Sequence, residues 1–252
     1  MARARAATQP PLRFRGAPPG LEAFAPSELV PEGTESATVV LALGEVEQLA
    51  PIDATEVGAG ASHLLISLPK TTPSGSYQGR AKIGDKEYPV VAEVEPLPSL
   101  QFSPATIRLQ AASGKEEQAH VTVLNDGNVA LEIAGAYAFG LFADEGVELA
   151  FATAFREDKE KGERRFDRFV EGVADQHGGF VRVRVSEGSG VLEPGALRSL
   201  GLVFRFPDGL QSGRAYGGSL TIHGVSLGVR ATVAPAGTTE PKATTRARRK
   251  AG

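Results

Sequence analysis

The chain has 252 residues, with 30 Gly and 17 Pro, only 12 Phe and 4 Tyr, and neither Cys nor Trp. The lack of cysteine excludes disulfides, thiolate metal sites and a cysteine nucleophile, and the Gly/Pro content favours many short strands joined by turns over long helices. A net charge of −3 hides an uneven distribution: residues 1–20 carry Arg3, Arg5, Arg13 and Arg15 with no acid, residues 236–252 carry five basic side chains against Glu240, and the stretch between is left at −11.

Residues 1–25 read as a disordered basic arm, because Ala, Arg, Pro and Gly dominate without a period that buries a face. They also lack the apolar stretch of roughly 7–15 residues that a secretory signal requires. The chain is therefore expected to start in the cytoplasm, with a virion or cell-surface destination open. No apolar run approaches the ~18 residues of a spanning helix.

From residue 26 the pattern becomes that of strands. Ala37, Val39, Leu41 and Leu43 alternate over 37–43, and further strands are expected near 62–68, 76–83 and 87–95, with a weaker signal over 46–57. Tyr77, Gly79, Ala81 and Ile83 share one strand face, and Tyr88, Val90, Ala92 and Val94 share one face of the next, with Gly84-Asp85 as the turn of a hairpin. Pro96-Leu97-Pro98 then punctuates the chain, so a first domain is expected over 26–97 and a second over 98–235.

The second stretch repeats the first. A shift of 139 residues places Tyr77, Gly79, Ile83, Val90, Ala92 and Val94 on Tyr216, Gly218, Ile222, Val229, Ala231 and Val233, with His223-Gly224 as the second turn. Upstream, Leu64-Ile66-Leu68-Pro69 corresponds to Leu202-Phe204-Phe206-Pro207, proline ending the strand in both. Strands near 105–111, 117–124, 129–136, 180–186, 198–206, 216–222 and 225–234 make about seven, as an immunoglobulin-type sandwich needs. Asn125-Asp126-Gly127-Asn128 reads as a turn. An insertion is expected over about 140–178, with a strand over Val147 to Phe155. One amphipathic helix follows, carrying Phe166, Phe169, Val170 and Val173 at i, i+3, i+4, i+7 and ended by Gly178-Gly179. Residues 236–252 read as a disordered basic tail.

The run Leu192-Glu193-Pro194-Gly195, Leu200 to Pro207, then Gly213, Tyr216, Gly218, Leu220 and Ile222, together with Asn125 to Val129, Leu131 and Ile133, resembles Hydin-like and related bacterial immunoglobulin-like modules. The resemblance covers roughly 100–139 and 180–235. It implies an all-β fold of two immunoglobulin-like β-sandwich domains, the second with a partly helical insertion, and it carries over no functional residue.

Chemistry is sought and not found. His63, His120, His177 and His223 show no ligand spacing and read as surface or turn residues. Asp144, Glu145, Glu148, Glu157, Asp158, Glu160 and Glu163 crowd the insertion, but Asp158, Glu160 and Glu163 alternate with Lys159, Lys161 and Arg164 as on a solvated helix face. Gly58-Ala59-Gly60 and Gly178-Gly179 form no phosphate cradle, and no Gly-x-Ser-x-Gly elbow occurs. Tyr77 and Tyr216, equivalent in the two copies, are expected to pack their rings and tie their hydroxyls to backbone. No catalytic, cofactor or metal residue is assigned. The expected role is non-catalytic, structural or protein-interacting, in an assembly such as a surface, appendage or virion structure. Its partners would be other proteins or further copies of the chain. The alternative is an anion-binding protein that holds nucleic acid or an acidic partner through its basic arms.

Overall fold

The computed structural model describes residues 10–29, 37–43, 46–58, 60–144, 146–155 and 162–235. Residues 1–9 and the tail 236–252 lie outside the described residues, and with them most of the two basic arms.

The first seven strands are β1 (Leu12–Gly16), β2 (Gly20–Pro26), β3 (Ala37–Leu43), β4 (Val46–Gly58), β5 (Ala61–Ser67), β6 (Gly75–Ile83) and β7 (Lys86–Val94). They pair in the order β1-β2-β5-β4-β3-β6-β7, with β7 returning to β1 in parallel, so the sheet closes on itself. Closure depends on β4. Its first half, Val46 to Pro51, pairs with β3, and its second half, from Ile52, pairs with β5, so one long strand passes from one layer to the other. Pro51 stands at the crossing, where a missing N–H is tolerated. The weak signal over 46–57 thus belongs to the strand that joins the layers.

Residues 12–25 are not a disordered arm. Leu12, Phe14, Leu21, Ala23 and Ala25 alternate inward and are buried, Phe14 and Leu21 completely, beside Val39, Leu41, Leu64, Ile66, Ala81 and Ala92. The period of two is present in the sequence, interleaved with arginines and broken by Pro18-Pro19. Burial of the apolar face outweighs the disordering composition. The outward Arg15 donates to Glu95 at 2.7 Å. That hydrogen bond, with the charges of Glu95 and Glu93, raises the guanidinium pKa further above its ordinary value.

The remaining strands are β8 (Leu100–Ser103), β9 (Thr106–Ala111), β10 (Glu116–Asn125), β11 (Leu131–Ile133), β12 (Ala136–Ala143), β13 (His177–Glu187), β14 (Gly190–Leu192), β15 (Leu197–Arg205), β16 (Ala215–Ile222) and β17 (Val225–Val233). Eight of them run in the open order β8-β10-β15-β13-β12-β16-β17-β9, which ends on a parallel pair, β17 with β9, while β11 and β14 form a separate two-stranded sheet. Leu141, Val181, Val183, Leu200, Leu202, Phe204, Leu220, Leu227 and Ala231 fill the interior, and Phe139 meets Phe204 edge to face. The chain is all-β, built from two immunoglobulin-like sandwiches, the second with a partly helical insertion.

By internal packing the chain separates into two units, Met1–Phe102 with Thr122–Ile133 and Gly188–Ser199, and Ser103–Val121 with Ala134–Glu187 and Leu200–Gly252. The division does not fall at one point of the chain, because the Asn125-Asp126-Gly127-Asn128 turn groups with the first unit. Asn128 accepts the Leu97 N–H at Oδ1 (2.6 Å) and donates from Nδ2 to the Glu95 carbonyl (2.9 Å). Asp126 Oδ2 takes Lys70 Nζ at 2.6 Å and Gln101 Nε2 at 2.8 Å. A methyl group on Gly127 would overlap the Leu97 carbonyl oxygen.

The insertion differs from expectation. It holds two helices, α1 (Gly146–Phe155) and α2 (Gly162–Asp175), where a strand and one helix were expected. Val147, Leu149, Phe151 and Phe155 mimic a strand period, but Ala150, Ala152 and Ala154 favour helix, and Ala150 and Ala154 are the buried contacts of α1. Ala150 packs on Gly172 of α2. Gly178-Gly179 does not end α2, which stops at Asp175. The two glycines lie inside β13, where Gly178 lets Tyr216 and Leu141 approach.

Candidate functional site

The outward face of β12, β13 and β15 in the second unit gathers the most distinctive exposed side chains. Inward-facing Val181, Val183 and Val185 force Phe180, Arg182 and Arg184 outward by the strand period. Gly140 lies opposite Phe180, Ala138 opposite Arg182 and Ala136 opposite Arg184, so β12 offers only small residues beneath these long ones. On the other side Arg182 stands directly opposite Arg205, both exposed.

Two cations directly opposite across a sheet repel. Among the described residues none of Arg182, Arg184 and Arg205 has an ion-pair partner, and the outward positions 136–142, 180–184 and 203–205 of the three strands hold no carboxylate. At one end three aromatic rings collect. His177 meets Phe142 at 5.0 Å and Phe180 at 5.3 Å, both edge to face. Gly140 forms the floor, with His177 and Phe142 atoms 3.4 Å from where a Cβ would stand. Phe180 is 66% and Phe142 46% exposed, far more than a ring retained for core packing.

The helical pair rises between β12 and β13. Phe151 stacks on Phe155 at 4.5 Å and meets Phe169 edge-on at 6.1 Å, but Phe151, Phe155, Phe166 and Val170 all remain about half exposed or more. The apolar stripe of α2 therefore exists, and it is not spent on the core.

The other residues singled out by sequence are separate. His63 lies 3.5 Å from Glu22 and 5.2 Å from the Phe24 ring, His120 is exposed on β10, and His223 occupies its turn with a φ of 47°. His177 belongs to β13 and to the aromatic cluster, not to a loop. Asp144 lies 3.9 Å from Arg230 and Glu148 in the first turn of α1, whereas Glu145, Glu157, Asp158 and Glu160 lie outside the described residues. Among the described residues no group of three or more His, Asp or Glu gathers as a metal site would require. Tyr77 Oη donates to the Pro73 carbonyl at 2.7 Å, and Tyr216 Oη accepts the Gln211 N–H at 3.0 Å. A groove outside the first barrel, lined by Thr38, Val40, Glu47, Arg80, Lys82 and Glu87, balances two acids against two bases and so has no charge preference.

No protein-family model matches the chain, and no curated protein matches it. Solved structures are similar at low identity. The titin fragment A168169 is 13% identical, with 89% of this chain and 96% of that one covered and a TM-score of 0.32. The ASH/PapD-like domain 7 of human CEP192 is 12% identical over 57% of this chain and 94% of that one, with a TM-score of 0.26. A complex of Dpr2 Ig1–Ig2 with DIP-Theta Ig1–Ig3 contains a chain 10% identical over 90% of this chain and 64% of that one, also at 0.26. No helix among the described residues is long and apolar enough to cross a membrane.

Proposed function

We propose that this chain is a non-catalytic interaction protein, part of a larger assembly such as a surface, appendage or virion structure, and that it docks a protein partner on the outward face of β12, β13 and β15. The observation that carries this reading is the Arg182–Arg205 pair. Two unneutralised cations face each other beside an exposed Phe180, an arrangement that costs stability in the isolated chain and is relieved by an acidic surface laid over it. Exposed aromatic and arginine side chains are also the types that dominate binding energy at protein interfaces. The finer resemblance to Hydin-like modules is supported by the repeated hairpins alone, and a division into domains at residues 97 and 98 by the Pro96-Leu97-Pro98 punctuation, with the Asn125 to Asn128 turn grouping against it in the first unit.

A photo-cross-linking residue at position 180, in cells producing the full chain, tests the reading. Adducts mapping to an acidic protein surface are expected, and they should disappear when Arg182→Glu and Arg184→Glu are added. Adducts no more frequent at 180 than at the outward control position Thr221 would sink it.

A further inference from the structure

We infer that the partner on the arginine face is a second copy of this chain, docked through the outward acidic face of β2, β5 and β4. The inference rests on the reading of that face as a docking surface and names its occupant. Residues 21–97 hold 12 Asp and Glu against 4 Lys and Arg, a far more acidic balance than the rest of the chain. Register concentrates some of this charge on one sheet face. Glu22 lies opposite Leu65, which lies opposite Asp53, and Phe24 lies opposite His63, which lies opposite Thr55. Outward positions 20–26 of β2, 61–67 of β5 and 53–55 of β4 include no Lys or Arg. The adjacent Arg15 of β1 is already committed to Glu95 at 2.7 Å.

The two faces match in kind. One has an exposed phenyl ring, Phe180, two residues along its strand from Arg182. The other has an exposed phenyl ring, Phe24 at 71%, two residues along its strand from Glu22. Two residues of strand span about 6.8 Å, so ring and charge are spaced alike on both. Opposite charges rim an apolar contact, as a specific interface requires; the arginine face alone leaves its cations unpaired, and the acidic face alone leaves Phe24 largely in water and Glu22 beside only His63, at 3.5 Å, and Arg15, across the β1–β2 register. Because the faces differ, the contact is heterologous: an Arg face on one copy takes an acidic face on the next. A single-stranded nucleic acid would also suit arginines and rings. The acidic face, with its own exposed Phe24, has no role in that alternative.

The test is analytical ultracentrifugation of the full chain at low and high salt, about 20 mM and about 500 mM, because screening shortens from tens of Å to a few over that range. Concentration-dependent association at low salt, weakened at high salt, is expected. E22Q/D53N and R182Q/R184Q should each lower self-association at least tenfold, and an equimolar mixture of the two should recover a one-to-one complex, since each retains the face the other lacks. All four positions are exposed, and hydrogen-exchange profiles matching the parent confirm that the variants fold. A chain monomeric at both salts, association surviving in either variant, or a mixture that stays monomeric overturns the inference. So does binding of a single-stranded oligonucleotide that is lost in R182Q/R184Q while the chain remains monomeric. A monomeric chain that still gives Phe180-directed adducts to another protein leaves the docking face standing and removes only its assignment to a second copy.

Discussion

Asn128 and Leu97 hold each other by a reciprocal pair of hydrogen bonds: the Leu97 N–H donates to Asn128 Oδ1 at 2.6 Å, and the Asn128 N–H donates to the Leu97 carbonyl at 3.1 Å. Asn128 is buried, and its Nδ2 also serves Glu95. Asn128→Ala therefore leaves a backbone N–H and a carbonyl short of partners and should cost about 2 kcal/mol. Asn128→Asp keeps the acceptor for Leu97 but sets a second oxygen against the Glu95 carbonyl and buries a charge, so it should cost at least as much as Asn128→Ala. Urea denaturation of both variants checks the order, and a clearly smaller loss for Asn128→Asp would contradict it.

Ile83 and Ile222 end equivalent strands, pairing with Lys86 and Val225 across their turns, and both are buried to 3% exposure or less. Ile83→Ala and Ile222→Ala should each destabilise by about 2–5 kcal/mol. Denaturation midpoints measure this. A loss below about 1 kcal/mol at both would contradict the burial.

The helical pair is predicted to be dispensable for folding. Its large apolar residues Phe151, Phe155, Phe166 and Val170 face solvent, and the Leu141, Val181 and Phe204 core does not depend on them. Replacing 145–176 with a short Gly-Ser loop should change stability by no more than about 1 kcal/mol, within the range of surface changes. Loss of cooperative thermal unfolding would make the helices structural.

The two equivalent tyrosines should respond unequally. Tyr216 is 3% exposed and its Oη is the acceptor for the Gln211 N–H, so Tyr216→Phe strands a donor and should cost about 1 kcal/mol. Tyr77 is half-buried and donates to a carbonyl that water reaches, so Tyr77→Phe should cost less than about 0.5 kcal/mol. Melting curves of the two single variants compare them directly.

The hairpins over 76–94 and 216–233 were legible because each keeps one unbroken apolar face and a glycine turn. β1 and β2 were not, since Arg13, Arg15 and Pro18-Pro19 dominate a window whose buried set is only Leu12, Phe14, Leu21, Ala23 and Ala25. In α1 the large apolar residues fall on odd positions, and short windows of that kind leave helix and strand ambiguous until alanine propensity and packing decide. The arginine face was out of reach for a different reason. The alternation of Arg182 and Arg184 is visible along the chain, but Arg205 becomes their neighbour only through the register of β13 with β15, and Phe142 joins His177 only after a bulge shifts β12. Cross-strand register is set by tertiary packing, which local sequence does not encode.

The two parallel strand pairs have a mechanical consequence. β1 runs alongside β7 from Leu12/Val90 to Gly16/Val94, and β9 alongside β17 from Thr106/Gly228 to Ala111/Val233. Tension applied to the chain before β1 and after β7 drags those two strands in opposite directions along their length. The evenly spaced bonds of a parallel ladder then bear the load together, in shear, where an antiparallel hairpin pulled at its open ends would unzip bond by bond. The same holds for β9 and β17. Each half should therefore resist stretching between neighbours better than its equilibrium stability alone implies.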